Sequence, residues 1–181
     1  MNNILGVNDP YTYIWILPLL SSIHELEEWN ILTWYQKYYK NMPESTNTSI
    51  RIHIFAFCAV SFALTAIAYV TRGTFLFSLI IAFLSSFLLF NFIQHIIWTA
   101  QFKAYSPGLA TGLLNVAGIM YVNMVLIENG MVMVPLYAIV LLFISPIVRT
   151  VQAKGEMTTE VRNVHRFFIQ VEKSLKRFFS K

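Results

Sequence analysis

Residues 73–102 read GTFLFSLIIAFLSSFLLFNFIQHIIWTAQF, a run without a single Asp, Glu, Lys or Arg. At about 1.5 Å per residue, a helix of that length exceeds the roughly 30 Å of hydrocarbon in a bilayer. Working outward, further uncharged runs cover 52–71, 104–127 and 129–148, and between residues 52 and 127 the only charged side chains are Arg72 and Lys103. The 181-residue chain is 56% hydrophobic and 12% charged, with a mean hydropathy of +0.57, whereas soluble domains carry about 25% charge. A soluble core could not hide so much apolar surface. In lipid the backbone must satisfy its own hydrogen bonds, so runs of this length are helices.

The expected architecture is all-α and polytopic, with five membrane-spanning helices. The first begins near Tyr11, passes Trp15 and Pro18, and ends at Ser21, Ser22 and the charged string His24-Glu25-Leu26-Glu27-Glu28. The others cover about 52–70, 74–102, 109–127 and 131–148. Residues 1–150 form the transmembrane unit and 151–181 a basic tail. From Thr158 onward, Val161, Val164, Phe168, Val171, Leu175 and Phe178 make one apolar stripe, with Arg162, Arg166, Lys173, Lys176 and Arg177 off it. That is the pattern of a helix lying in the membrane interface; a short coiled coil is the alternative. His165 is expected on its surface.

The net charge of +4 could suggest nucleic acid, but eight of the thirteen Lys and Arg residues lie between Arg149 and Lys181. A juxtamembrane cluster of this kind orients the chain and faces anionic lipid, so no nucleic-acid partner is expected. With five spans, Lys37, Lys40, Arg51, Lys103 and the tail share the cytoplasmic side and Arg72 stands alone outside, giving N-out/C-in in the cytoplasmic membrane. The first apolar stretch has no cleavage pattern, so a removable signal peptide is not expected. The single Cys58 excludes an internal disulfide and a CxxC-type metal site.

Chemistry concentrates at the cytoplasmic ends of the first and third spans. His24, Glu27 and Glu28 share a helical face by their offsets of three and four, as do Asn91 and His95. Thr111 and Asn115 lie at similar depth on the next span, and His53 just inside the second. Ionisable groups at membrane depth cost roughly 2.5–3.5 kcal/mol each on insertion scales and face partners or a cavity. Binding a divalent cation or sharing protons would relieve that cost. His24, Glu27, Glu28 and His95 are the candidate ligands, with zinc favoured over iron; Glu27, Glu28 and Asn91 are the candidate catalytic groups. Named motifs fail: a zincin helix needs a second His where Glu28 stands, and the Glu-x-x-His of di-iron bundles is reversed. Plainer readings stay open. The first cluster could be a solvated helix end ahead of an interfacial belt of Trp29, Trp34, Tyr35, Tyr38 and Tyr39. Asn91 and His95 could be interhelical hydrogen-bonding groups, and His53 an interfacial residue.

His24-Glu25-Leu26-Glu27-Glu28, followed by Asn91-Phe-Ile-Gln-His95 and Tyr105-Ser-Pro-Gly108, resembles the integral-membrane family named for its HxxEE motif. The resemblance covers about Ile14 to Val148 and leaves the tail outside. It implies that His24, Glu27, Glu28, Asn91 and His95 act together; the family has no established activity. The expectation is a small membrane enzyme with a metal site near the inner leaflet, acting on a lipid or other hydrophobic molecule. In a hydrolytic version, His24, His95 and one glutamate hold the metal while the other glutamate is general base. The rivals are a metal-free His/Glu isomerase or cyclase, an ion transporter, an accessory membrane subunit, and bis-histidine haem ligation through His24 and His95.

Overall fold

The computed structural model describes residues 9–144 and 155–180, and every regular element within them is helical. A 3₁₀ turn, Pro10–Trp15, leads into α1, Ile16–Glu27, and a short α2, Ile31–Tyr38. The long helices are α3, Asn47–Val70, α4, Phe75–Phe102, and α5, Leu109–Glu128. They are followed by α6, Pro135–Ile144, and α7, Thr159–Phe179.

Among the described residues, α3, α4 and α5 are long and apolar enough to cross a membrane. Of the five spanning helices expected from the sequence, three are therefore supported among the described residues. The reason in the first segment is local: Asp9 caps the chain and Pro10 starts it as a 3₁₀ turn, so the apolar stretch is divided before the 12-residue α1 begins. Pro18 sits in the first turn of α1, where its missing N–H costs little. In the last segment α6 is described over ten residues, and the remainder of the expected fifth span lies outside the described residues.

Local chemistry sets the helix ends. Thr46 and Ser49 form a reciprocal capping box that starts α3 at Asn47, ahead of the first apolar position. Thr74 caps α4, and Lys103 in the left-handed region ends it. Both ends of the bundle are then identifiable. At the far end Arg72 reaches Asp9 at 3.5 Å and Tyr11 packs edge-on against Phe77. At the near end α1 finishes against the loop after Lys103 and the first turn of α5. The segment Pro10–Glu27 thus runs the height of the bundle without being one long helix.

The central helix is α4, packed by α1, α3, α5 and α6. Phe77, Ile81, Leu84 and Leu88 join Ile14, Leu17, Val122 and Leu126 in the far-end core. At the near end Trp98 and Phe90 join Ile31, Trp34, Ile50 and Ile54. The expected aromatic belt is therefore largely turned inward: Trp34, 8% exposed, stacks with Trp98 and Phe102 and donates its indole N–H to Tyr105 O at 3.0 Å. Halfway down, Ser85, Asn123 and Tyr137 bond across α4, α5 and α6, with Asn123 Nδ2 donating to Ser85 Oγ at 3.0 Å and Tyr137 donating to Asn123 Oδ1 at 2.5 Å.

The tail helix differs from its expected pattern. Ser45 meets His165 Nδ1 at 2.9 Å and Thr46 donates to Glu172 Oε2 at 2.5 Å. Two turns of α7 thus pass over adjacent residues at the start of α3, so α7 crosses α3 rather than running along it. Phe168 stacks on His53 with centroids 4.5 Å apart. His165 is buried, not superficial as its place in a basic tail suggested, while Val164, Phe167, Leu175, Phe178 and Phe179 are exposed. The hydroxyls of Ser45 and Thr46 hold His165 and Glu172 inward, while Val161 and Phe168 of the stripe pack against the bundle and Val164, Leu175 and Phe178 remain exposed.

Burial, with a contribution from His53, pushes the His165 imidazole down to about 4, and the bonds from Lys176 and Thr46 hold the Glu172 carboxyl below its usual range. Both groups bind protons more readily once α7 is released, so acid favours release. The His165 contribution is complete above its ordinary value near 6.5 and falls away between there and about 4. That of Glu172 is lost lower still, below its ordinary 4.5. Hydrogen-exchange protection factors across Thr159–Phe179, referred to the intrinsic rate at each pH, are expected to fall between pH 7 and pH 5, and His165→Phe is expected to remove most of that dependence.

Candidate metal centre at the HxxEE helix

His24, Glu27 and Glu28 occupy the last turn of α1 and the residue capping it, one turn apart on the face toward α4 and α5. His95 lies in the penultimate turns of α4, and the loop Tyr105–Gly108 closes over both. Glu28 Oε1 stands 3.3 Å from His24 Nε2 and 2.7 Å from His95 Nε2. The imidazoles are 5.0 Å apart in an edge-to-face arrangement, and both are at most 1% exposed. Among the described residues, His24, Glu28 and His95 each offer a ligand atom within 4.8 Å of the others and could hold a metal ion.

The hydrogen bonds fix which ring nitrogen is free. Thr111 donates its one hydroxyl hydrogen to Glu27 Oε2 at 2.5 Å, so at 3.1 Å it accepts from His24 Nδ1. Ser106 Oγ lies 2.9 Å from His95 Nδ1 and so engages the outer nitrogen of that ring as well. In a neutral ring whose Nδ1 carries the proton, Nε2 presents a lone pair. Both Nε2 atoms are buried without a hydrogen bond, although Glu28 Oε1 is close, because the contacts lack hydrogen-bond direction. Two imidazole Nε2 atoms and a carboxylate oxygen therefore converge. The edge of a tetrahedron with bonds of about 2.1 Å is about 3.4 Å; the His24–Glu28 separation is near it and the His95–Glu28 separation is shorter. The rings are too close together to accept a haem between them.

Glu27 does not join this group. Its carboxylate accepts from the backbone N–H of Thr111 at 2.9 Å, from the Thr111 hydroxyl, and from Tyr105. The motif thus has two tasks: His24 and Glu28 point into the candidate centre, and Glu27 seats the first turn of α5 beneath it. Thr111 joins the two tasks by bonding both Glu27 and His24. Asn115, one turn further, is buried with both amide atoms unbonded.

Beside the centre is a cavity of about 240 Å³ with Glu28 in its wall. Asn91, Gln94 and Glu25 supply polar edges, and Ile54, Phe87 and Phe90 much of the apolar lining. His53 faces this cavity rather than the His/Glu group, and α7 closes one side through Val161, Val164 and His165.

The sequence model of a family described as "Protein of unknown function with HXXEE motif" matches residues 15–122. The chain belongs to that family. No curated protein and no solved structure matches it. The match takes in α1 to most of α5 and so contains the whole His/Glu group.

Several contributors were not assigned a role from sequence. Ser106 and Gly108 are held in the quoted Tyr-Ser-Pro-Gly string, yet a serine and a glycine before a helix ordinarily read as a cap. Gly108 has φ 97°, and a Cβ there would lie 2.6 Å from His95 Cε1, 2.7 Å from Glu28 Oε1 and 2.8 Å from His24 Cε1. The backbone itself forms one wall of the centre. Gly108→Ala is expected to destabilise the protein by about 1–3 kcal/mol through backbone strain and overpacking. Thermal unfolding in mild detergent checks this, with Gly130→Ala as a control, since that glycine shares the positive φ and meets nothing.

Proposed function

We propose that this protein is an integral-membrane metalloenzyme in which His24, Glu28 and His95 hold a divalent cation, zinc favoured over iron, and whose substrate is a lipid or other hydrophobic molecule. The observation that carries the reading is the convergence of two buried, unbonded Nε2 atoms on a carboxylate oxygen beside a largely apolar cavity. Two imidazoles and a carboxylate are a donor set suited to zinc, and the ion would supply Lewis acidity and an acidified water for hydrolysis.

The chain's own residues do the rest. The apolar walls at Phe87 and Phe90 receive the hydrophobic body of the substrate, and Asn91, one turn before His95, and the adjacent Gln94 meet its polar group. Glu27 positions the centre by holding Thr111, which in turn holds His24 in its ligand tautomer. Such outer partners are typically worth about 10–100-fold in affinity or activity.

A metal-free proton-sharing site is the second reading. The 2.7 Å between His95 Nε2 and Glu28 Oε1 favours it, because that separation suits a shared proton as well as a common ion. Elemental analysis of protein isolated without chelators separates the two. The metal reading expects one divalent ion per chain, its loss in His24→Ala, His95→Ala and Glu28→Gln, and its retention in Asn91→Ala. Chelation is expected to lower the unfolding temperature and the ion to restore it. No stoichiometric metal, with an unfolding temperature indifferent to zinc, iron and manganese, would overturn it.

We further propose that the near end faces the cytoplasm and that residues 151–181 form a cytoplasmic tail. Lys37, Lys40, Arg51 and Lys103 lie at that end with the cations of α7, against Arg72 at the other. A reporter active only after export, fused beyond Lys181, is expected to be silent.

A further inference from the structure

The underside of α7 carries cavities that the candidate centre does not use. One crevice, about 580 Å³, lies between α7 and the residues leading into α3, with Glu44, Arg166, Gln170 and Lys173 in its walls. A second, about 290 Å³, continues from it past Glu172 and Lys176, which line both, and is walled by Ile52, Leu175 and Phe179. A recess lined by Arg166, Lys173 and Lys176 against Glu44 and Glu172, an excess of one positive charge, thus opens directly into an apolar furrow.

The charges in the recess are unequal in availability. Glu172 is occupied, accepting from Thr46 at 2.5 Å and pairing with Lys176 at 2.6 Å. Arg166 and Lys173 form no ion pair among the described residues, and both are exposed. Their spacing of seven residues places them on one side of α7, two turns apart. The furrow's apolar walls are equally unused: Leu175 is 43% exposed and Phe179 is 80% exposed.

The recess adjoins the residues just ahead of α3, and the furrow lies between Thr48 and Ile52 in the first turns of that apolar helix and the last turns of α7. We infer that the α3–α7 crevice binds an anionic phospholipid of the near leaflet, its phosphate at Arg166 and Lys173 and an acyl chain along Ile52, Leu175 and Phe179. Charge complementarity selects an anion, and the adjoining furrow selects one that carries a chain. The same helix walls the cavity beside the candidate centre through Val161 and Val164, so the bound lipid would hold that wall in place. The inference depends on where α7 sits and not on the metal reading.

The test uses the full chain in mild detergent, stripped of lipid, titrated separately with phosphatidylglycerol, phosphatidylcholine and inorganic phosphate. Native mass spectrometry counts bound lipid and thermal unfolding reports its effect. Phosphatidylglycerol is expected to bind saturably at one per chain and raise the unfolding temperature, with phosphatidylcholine at least tenfold weaker and inorganic phosphate without effect at equal concentration. Arg166→Gln with Lys173→Gln is expected to weaken phosphatidylglycerol binding about thirtyfold, the scale of two basic residues near an anionic leaflet. These exposed positions leave the lipid-free unfolding temperature unchanged. Leu175→Ser with Phe179→Ser is expected to weaken both lipids alike. Equal affinity for the two lipids, an undiminished titration in the Arg166/Lys173 variant, or a full response to inorganic phosphate would each overturn the inference.

Discussion

Everything at the near end of this molecule is arranged around one contact, Glu28 Oε1 between the Nε2 atoms of His24 and His95. Two buried imidazole nitrogens and a half-buried carboxylate oxygen held this close need a cation or a proton among them. The cost sets what surrounds them. Thr111 and Ser106 hold the outer nitrogens, Gly108 lets the backbone approach within van der Waals contact, and Glu27 anchors the helix that carries Thr111. Below, the indole of Trp34 fixes the Tyr105 carbonyl, which couples the aromatic near-end core to the loop over the centre. Replacing any of these alters the geometry of a site it does not itself occupy.

The same helix that presents Glu28 to the centre presents Glu25 to the neighbouring cavity. A buried polar centre thus meets a mostly apolar chamber, which is the usual composition of a small-molecule site. The chamber is completed by α7, a segment outside the stretch matched by the family. His165 and Glu172 turn inward to the hydroxyls of Ser45 and Thr46, Val161 and Val164 line the chamber, and Leu175, Phe178 and Phe179 are exposed. A single helix therefore borders both the chamber and the crevice.

Much of this was legible in the sequence for plain reasons. Uncharged runs of more than twenty residues require helices in lipid, so α3, α4 and α5 follow from composition alone. Helical periodicity put His24 beside Glu28 and Asn91 beside His95, and the direction of successive spans put both pairs at the same depth. The first segment was less legible. Its hydropathy suggests a span, but Asp9 and Pro10 impose a 3₁₀ start that hydropathy does not register. In the tail, periodicity gave the helix and its apolar stripe but not the burial of His165, which the hydroxyl of Ser45 across the chain decides.

Sequence by itself determined the helical class, the three helices long and apolar enough to cross a membrane and the residues that bring chemistry to the near end, since each depends on local spacing or on the solvent the chain must satisfy. Tertiary structure decided the division of labour among them. It placed Glu28 in the His/Glu group and Glu27 against Thr111, turned Nδ1 of both imidazoles outward, and brought Gly108 and Ser106 from a distant loop. Those outcomes depend on distances between α1, α4 and α5, which no spacing within one helix can fix.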